Sequence, residues 1–334
     1  MSDNLVFLYV NFLHKLCDLV ISFAVAQAAS RLRANVVSRE IFISINMFRE
    51  EEFSRLEINL GGCLENYKYF RSKLQDSTKL LVLVKANAYG HGAVEFASLM
   101  EDAGADYLAV AYPVEGIELR QAGINSPIMV LTAGTDSFEQ IINYGLEPGI
   151  PNIYSLKVLC DVLSKRGMSD FPIHLKLDTG MHRLGFDPKK DIEELIKRMK
   201  RQNAIIPRSV FSHFVGADSD TFDEFSAWQF CLFDEASQKL QAAYQHKILR
   251  HIANSAGIEH FPERQLDMCR LGIGLYGVNP LSPITSFMKG QGGDLKCVST
   301  LKTTILQLRN VPKEETIGYS RKGVLMRDSV IAAI

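Results

Sequence analysis

The 334-residue chain reads as an α/β protein: a (β/α)8 TIM barrel followed by an incomplete C-terminal β domain. Three observations predict this. From Leu56 onward, apolar strand-like segments alternate with helix-period segments, at roughly 20–40 residues per unit. Eight such units fit before Pro280, the number that closes a barrel. After Pro280 the helical pattern stops and strand-like alternation replaces it. A doubly wound parallel sheet is the structural rival.

Residues 1–50 differ from the rest. Leu5 to Ser30 is strongly apolar, but Lys15 and Asp18 interrupt it before it reaches the length of a membrane span. Ala24-Val25-Ala26 is similar to a signal-peptidase site, yet Met1-Ser2-Asp3 lacks the basic start of a leader. The segment reads as an extra helix or as sequence foreign to the barrel. Met47 is an alternative start, since patterned sequence begins soon after it.

The barrel spans 51–280. Its strands are expected at 80–85, 107–112, 127–132, 146–150, 172–178, 208–215, 248–253 and 267–272. The first, Leu80–Val84, is an unbroken apolar run, as a strand covered on both faces must be. The helices between them are expected at Ala93–Ala103, Val114–Ala122, Phe138–Tyr144, Leu156–Arg166, Asp191–Arg201 and Asp223–Ala243. Residues 281–334 form the third region. Leu281–Asp294 is rich in Gly, Ser and Pro and reads as a linker. Cys297–Arg309 alternates as a strand does, and Val324–Ile334 begins another. The apolar end Ala332-Ala333-Ile334 gives the expectation of a fragment, with a β domain begun and cut off.

Bulk composition excludes several functions. With 37 basic and 38 acidic side chains, nothing points to nucleic acid or an anionic membrane. The cysteines at 17, 63, 160, 231, 269 and 297 have no Cys-x-x-Cys spacing. They read as free thiols in a reducing, cytoplasmic compartment. No Cys/His cluster has metal spacing, so no metal is expected.

Barrel chemistry sits where strands end. The first strand, Leu80-Leu81-Val82-Leu83-Val84, ends at Lys85 and runs into Ala86-Asn87-Ala88-Tyr89-Gly90-His91-Gly92. Lysine is seldom buried unless it is used. A desolvated lysine has a lowered pKa and serves as a nucleophile or Schiff-base former. The fifth strand ends in Lys176-Leu177-Asp178-Thr179-Gly180-Met181-His182-Arg183, the sixth in Ser212-His213-Phe214. The seventh leads to Asn254-Ser255, the eighth to Arg270-Leu271-Gly272-Ile273. The last two match the usual phosphate position of a barrel, where the Ser255 hydroxyl and exposed N–H groups near Gly272 can hold a phosphate. Gly272-x-Gly274-x-x-Gly277 fits a dinucleotide fingerprint by letter only. Asn279-Pro280 follows it, where that fingerprint needs a helix.

Val-Lys-Ala-Asn-Ala-Tyr-Gly-His-Gly (84–92) and Asp-Thr-Gly-Met-x-Arg-x-Gly (178–185) resemble the two signatures of alanine racemases. The resemblance runs from about residue 55 to the end. It implies a pyridoxal 5'-phosphate enzyme, with a barrel and a C-terminal β domain, that interconverts L- and D-alanine for peptidoglycan. It implies that Lys85 holds the cofactor and acts as one base. Tyr89, Ser255, Gly272 and Ile273 would contact the phosphate, Arg270 the pyridine nitrogen, and His213 the ring. Arg183 would meet the phenolic oxygen and the substrate carboxylate. Lys176 matches a position carbamylated in several relatives, where it orients the arginine. Tyr319, in Thr316-Ile317-Gly318-Tyr319, matches the second base, supplied by the partner of a homodimer. Ser320 stands where the family usually has glycine.

Chemistry supports these roles. Racemisation takes a proton from one face of a carbon and returns it on the other, so two bases divide the work. Arginine keeps its proton, so a pyridine nitrogen facing Arg270 stays unprotonated. Alternatives stay open: a non-catalytic pyridoxal-phosphate barrel, the racemase part of a fused cell-wall ligase–racemase, and relatives that racemise serine or basic amino acids. The family's later aspartate and tyrosine, which contact the substrate, are absent from this chain.

Overall fold

A computed structural model describes residues 54–281 and 295–334. The expectations for residues 1–50 and for the 281–294 linker fall almost wholly outside the described residues. The chain divides into two compact units, one of Ile58–Ser299 and one that joins the residues up to Glu57 to Thr300–Ile334.

The first unit is an eight-stranded parallel sheet curled into a barrel. Its strands are β2 (Lys79–Leu83), β3 (Tyr107–Val110), β4 (Ile128–Val130), β5 (Glu147–Ile150), β6 (Phe171–Lys176), β7 (Ile205–Phe211), β8 (Leu249–His251) and β9 (Met268–Leu271). They run in order around the barrel, with β9 beside β2. Across the seam from β8 to β9, Asp267 N–H donates to the Arg250 carbonyl and Arg270 N–H to that of Ala253. All eight expected strands are present, most ending a residue or more early, where the chain turns into the loops that carry the site.

The helices also fall where helix-period patterns lie: Ala93–Asp102, Pro113–Gln121, Phe138–Asn143, Ile153–Lys165, Ile192–Met199 and Asp223–Ala242. A further helix, Leu60–Ser72, starts at Asn59, whose side chain accepts the Gly62 N–H. The unbroken apolar runs follow from double-sided burial. On β2, Leu80 and Val82 pack toward the helices, while Leu81 and Leu83 face the barrel interior. Each such side chain contributes about 1.5–3 kcal/mol by leaving water.

The interior is divided. Leu81, Leu83, Tyr107, Ala109 and Met129 fill it from β2, β3 and β4. The side from β6 to β9 adds Phe211 and Met268 but also the buried polar groups His174, Ser209, His251 and Arg270.

The second unit is strand-rich. β1 (Ser54–Ile58) pairs with β10 (Ser299–Thr303), so this early strand joins the C-terminal strands and not the barrel. β11 (Gln307–Val311) pairs antiparallel with β14 (Ser329–Ala333), and β12 (Thr316–Ile317) with β13 (Gly323–Val324).

One turn pins the end of β6. Leu177 bridges Phe186, whose N–H donates to the Lys176 carbonyl. Gly185 makes the turn possible: its φ is +137°, and a Cβ there would lie 2.5 Å from the Asp178 nitrogen and 2.6 Å from the Leu177 carbonyl carbon. Gly185→Ala is expected to cost at least about 2 kcal/mol through strained backbone, read as a lower urea midpoint. An unchanged midpoint contradicts the packing described.

Candidate functional site

Nine of the ten expected site residues converge at the carboxyl ends of the barrel strands. Lys85, Tyr89, Lys176, Arg183, His213, Ser255, Arg270, Gly272 and Ile273 all line one cavity of about 800 Å³. That volume suits a small-molecule cofactor with a small substrate. Tyr319 belongs to the other unit, where it is 98% exposed.

Lys85 follows β2 after a single residue, Val84. The backbone then turns left-handed through four residues: φ is 51° at Ala86, 52° at Asn87, 50° at Ala88 and 54° at Tyr89. Left-handed conformation costs about 1–2 kcal/mol per non-glycine residue, so surrounding contacts must impose it. The Asn87 side chain accepts the Ala93 N–H at 2.8 Å. Glu115 accepts the Ala86 N–H at 2.6 Å on one oxygen. Its other oxygen accepts the N–H groups of Ala111 at 2.7 Å and Tyr112 at 3.0 Å. Sequence reading missed both the left-handed turn and Glu115, because an acid in the first turn of a helix looks like ordinary capping.

Ser255, Gly272 and Tyr89 meet at one end of the cavity. Of the N–H groups near Gly272, two are engaged by the protein itself. Gly272 is buried, and its N–H donates to Ser255 Oγ at 2.9 Å, as the Gly274 N–H does at 3.3 Å. A Cβ on Gly272 would approach the Tyr89 hydroxyl to 3.2 Å, so the missing side chain keeps this corner open. Gly274 and Gly277 belong to a short 3₁₀ turn, Ile273–Tyr276, and its end, so no dinucleotide helix starts there.

Arg270, on β9, is 3% exposed. It donates to the carbonyls of Ser212 at 2.5 Å, Ile252 at 3.0 Å and His251 at 3.2 Å. It also donates to the ring nitrogens His251 Nδ1 at 2.9 Å and His213 Nδ1 at 3.2 Å. Burial brings its pKa down to about 10, which leaves it charged at neutral pH. Gln229, also missed from sequence, is fully buried. It donates to the His213 carbonyl at 3.2 Å and accepts the Val215 N–H at 3.1 Å, which fixes the loop after β7.

Uncompensated positive charge sets the electrostatics. Among the described residues, no carboxylate lies within ion-pair distance of Lys85, Lys176, Arg183 or Arg270. Burial, then Arg183, lowers the Lys85 pKa, against an opposing pull from Glu115. Lys176 sits 4.5 Å over the Phe211 ring, and burial with Arg270 and Arg183 pushes it well below the usual lysine value. His213 is held neutral by burial and by Arg270, Lys176, Arg183 and Lys85. Two amines and two guanidiniums around one cavity call for an anionic ligand. A cofactor with a phosphate at one end and a phenolate and aldehyde at the other fits this set: Ser255 and Tyr89 at the phosphate, Lys85 at the carbon, Arg270 at the far ring edge.

The comparisons with known proteins agree. Residues 58–280 match the family model "Alanine racemase, N-terminal domain". An alanine racemase of Clostridium tetani is 36% identical over 279 residues, which cover 83% of this chain and 70% of the relative. A solved alanine racemase of Clostridium difficile 630 superposes with a TM-score of 0.74 at 32% identity, covering 85% of this chain and 73% of that one. The same fold appears in a Bartonella henselae alanine racemase with covalently bound pyridoxal phosphate, at TM-score 0.72, 24% identity and coverage of 84% and 74%.

Two measurements follow. Glu115→Ala leaves three backbone donors without their carboxylate and is expected to cost about 2 kcal/mol in urea denaturation; a loss under a tenth of that contradicts its role in the turn. The second concerns pH. His213 and His251 stay neutral when folded, with pKa values well below 6.5, while the unfolded chain protonates them near 6.5. The unfolded state then binds more protons, so stability falls as pH drops below 6.5. The slope from this pair is at most about 2.7 kcal/mol per pH unit. Urea midpoints at pH 7.5 and 5.5 read the loss, and equal midpoints contradict it.

Proposed function

Because the chain belongs to the alanine racemase family, we propose that Lys85 and Tyr319 are the two bases that exchange the α-proton of alanine. The chain is an amino-acid racemase, an isomerase that interconverts L- and D-alanine with pyridoxal 5'-phosphate, and its product supplies peptidoglycan. One observation carries the site assignment: Lys85 sits desolvated at a strand end, within a ring of cations that no protein carboxylate neutralises.

When bound, the cofactor supplies an electron sink for the charge left on the α-carbon. The chain's own residues do the rest. Burial and Arg183 shift Lys85 toward the neutral amine, the form in which Nζ accepts a proton. Arg183, exposed at the cavity wall, suits the substrate carboxylate. Lys176 is a buried amine next to Arg183 and Arg270 in charge terms; carbamylation would convert it to an anion and relieve that repulsion. Arg270, charged at neutral pH, would face the ring nitrogen and leave it unprotonated. Ser255 and Tyr89 would hold the phosphate, and neutral His213 would pack against the ring.

Tyr319 is the second base. It follows Gly318, with φ +77°, and precedes Ser320, with φ 58°. The left-handed backbone at Ser320 accounts for the glycine usual there. A phenol of pKa about 10 needs cationic neighbours to act as a base. Its 98% exposure supports a homodimer in which Tyr319 completes the partner's site. The barrel, within the 51–280 expected from sequence, and the C-terminal strands, joined by Ser54–Ile58, act as separate domains in this reading. A reducing, cytoplasmic location is supported by Cys63, Cys160, Cys231, Cys269 and Cys297, all free thiols. Among the described residues, no helix is long and apolar enough to cross a membrane.

A coupled D-alanine assay tests the reading. Lys85→Ala is expected to lose both retained cofactor and turnover. Tyr319→Phe is expected to keep the cofactor and lose at least about 100-fold in kcat. Full turnover in Tyr319→Phe removes it from the mechanism, and a wild-type chain that fails to turn over alanine sinks the assignment.

A further inference from the structure

The polar side of the barrel interior is one connected chain of side chains, and only its upper end belongs to the site described above. Glu147 begins β5, His174 lies on β6, Ser209 on β7, His251 on β8 and Arg270 on β9. His174 and Ser209 are direct register partners across β6 and β7. His174, Ser209 and His251 are fully buried, and the Glu147 side chain is 13% exposed.

The distances link them without a gap. Arg270 Nη1 lies 2.9 Å from His251 Nδ1. His251 Nε2 lies 2.9 Å from Ser209 Oγ, which lies 2.6 Å from His174 Nδ1. His174 Nε2 lies 2.9 Å from Glu147 Oε2.

The chemistry of the two ends fixes the direction of every bond between them. Arginine only donates, and an ionised carboxylate only accepts. His251 Nδ1 must therefore accept from Arg270, which places the ring proton on Nε2, donating to Ser209. The serine hydrogen then goes to His174 Nδ1, and the His174 proton sits on Nε2, donating to Glu147. With both rings neutral, reversing any one bond sets two donors, or two lone pairs, face to face. The carboxylate is kept ionised. Burial pushes the Glu147 pKa up, but the hydrogen bond from His174, with the Arg208 charge and the Tyr107 hydroxyl, outweighs it and holds it low. Tyr107 also donates to Glu147 Oε2, at 3.3 Å.

We propose that Glu147, through His174, Ser209 and His251, is a positioning residue for Arg270. The one-way chain delivers the negative end of its bond dipoles to a buried guanidinium that has no carboxylate within reach among the described residues. Aligned bonds polarise one another, so His251 Nδ1 is a stronger acceptor than an isolated imidazole. Arg270 is thereby held in plane and in charge. Its second nitrogen, donating to His213 Nδ1, fixes that ring's proton on Nε2 as well. The functional consequence rests on the reading that Arg270 faces the cofactor's ring nitrogen.

The full chain labelled with ¹⁵N-histidine gives the test, with and without pyridoxal phosphate, each ring assigned by a single His→Gln variant. His174 and His251 are expected to show the neutral form protonated on Nε2 in both states. A proton on His251 Nδ1 overturns the proposal whatever the activity. Turnover supplies the second readout. Ser209→Ala and Glu147→Gln are each expected to lower kcat about tenfold with little change in KM, the lower end for groups that orient a site residue. The double variant is expected to be no worse than Ser209→Ala alone, because both cut one chain. Additive losses, or no loss in Ser209→Ala, overturn it. If the tautomers hold but Arg270→Lys leaves the spectrum of the bound cofactor unchanged, the ring-nitrogen reading fails and the chain itself stands.

Discussion

The structure is organised around positive charge that the protein does not neutralise. Lys85, Lys176, Arg183 and Arg270 line one cavity, and the described residues offer none of them a carboxylate in contact. Desolvating cations such as Lys176 and Arg270 side by side is costly. A fold built for stability alone would pair them or omit them. The cost turns into function when an anion enters: a phosphate at the Ser255 end and a substrate carboxylate near Arg183. Burial, reinforced by the same crowding, shifts Lys85 and His213 toward their neutral forms, so one site serves both binding and proton transfer.

Two supports hold this arrangement. Above, Glu115 fastens the strained backbone from Ala86 to Tyr89, so that Lys85 and Tyr89 enter the cavity from the same turn. Below, the buried polar row from Arg270 to Glu147 replaces apolar packing in half of the barrel. A buried polar network stabilises only when every member is satisfied. Strands β2 to β4 are packed with Leu, Tyr, Ala and Met, and touch the network only through the Tyr107 hydroxyl among these interior residues.

Much of this was legible in sequence, for physical reasons. Strands covered on both faces must be continuously apolar, so Leu80–Val84 and its counterparts stood out. Helices with one covered face must show a 3.6-residue period, and Asp223–Ala242 did. Lys85 was visible because a lysine ending such a strand is rare, and the motif around it is specific. What stayed hidden depends on through-space geometry. Glu115 and Gln229 act across a loop or a helix, and neither has a local pattern. The left-handed turn uses alanines, which give no hint of positive φ. Ser54–Ile58 was taken for the barrel's side of the boundary because its partner, Ser299–Thr303, lies far along the chain. His174 and Ser209 looked like ordinary interior residues, since only the closed barrel brings them into line with Arg270.

The central claim is that the uncompensated cations exist to receive one anionic cofactor at one lysine. Borohydride reduction of the chain loaded with pyridoxal phosphate, followed by peptide mass mapping, tests it most directly. The account predicts a single pyridoxyl adduct on the peptide containing Lys85, with Lys176 unmodified although it is also a buried amine of depressed pKa. An adduct on Lys176, or none at all, would contradict it.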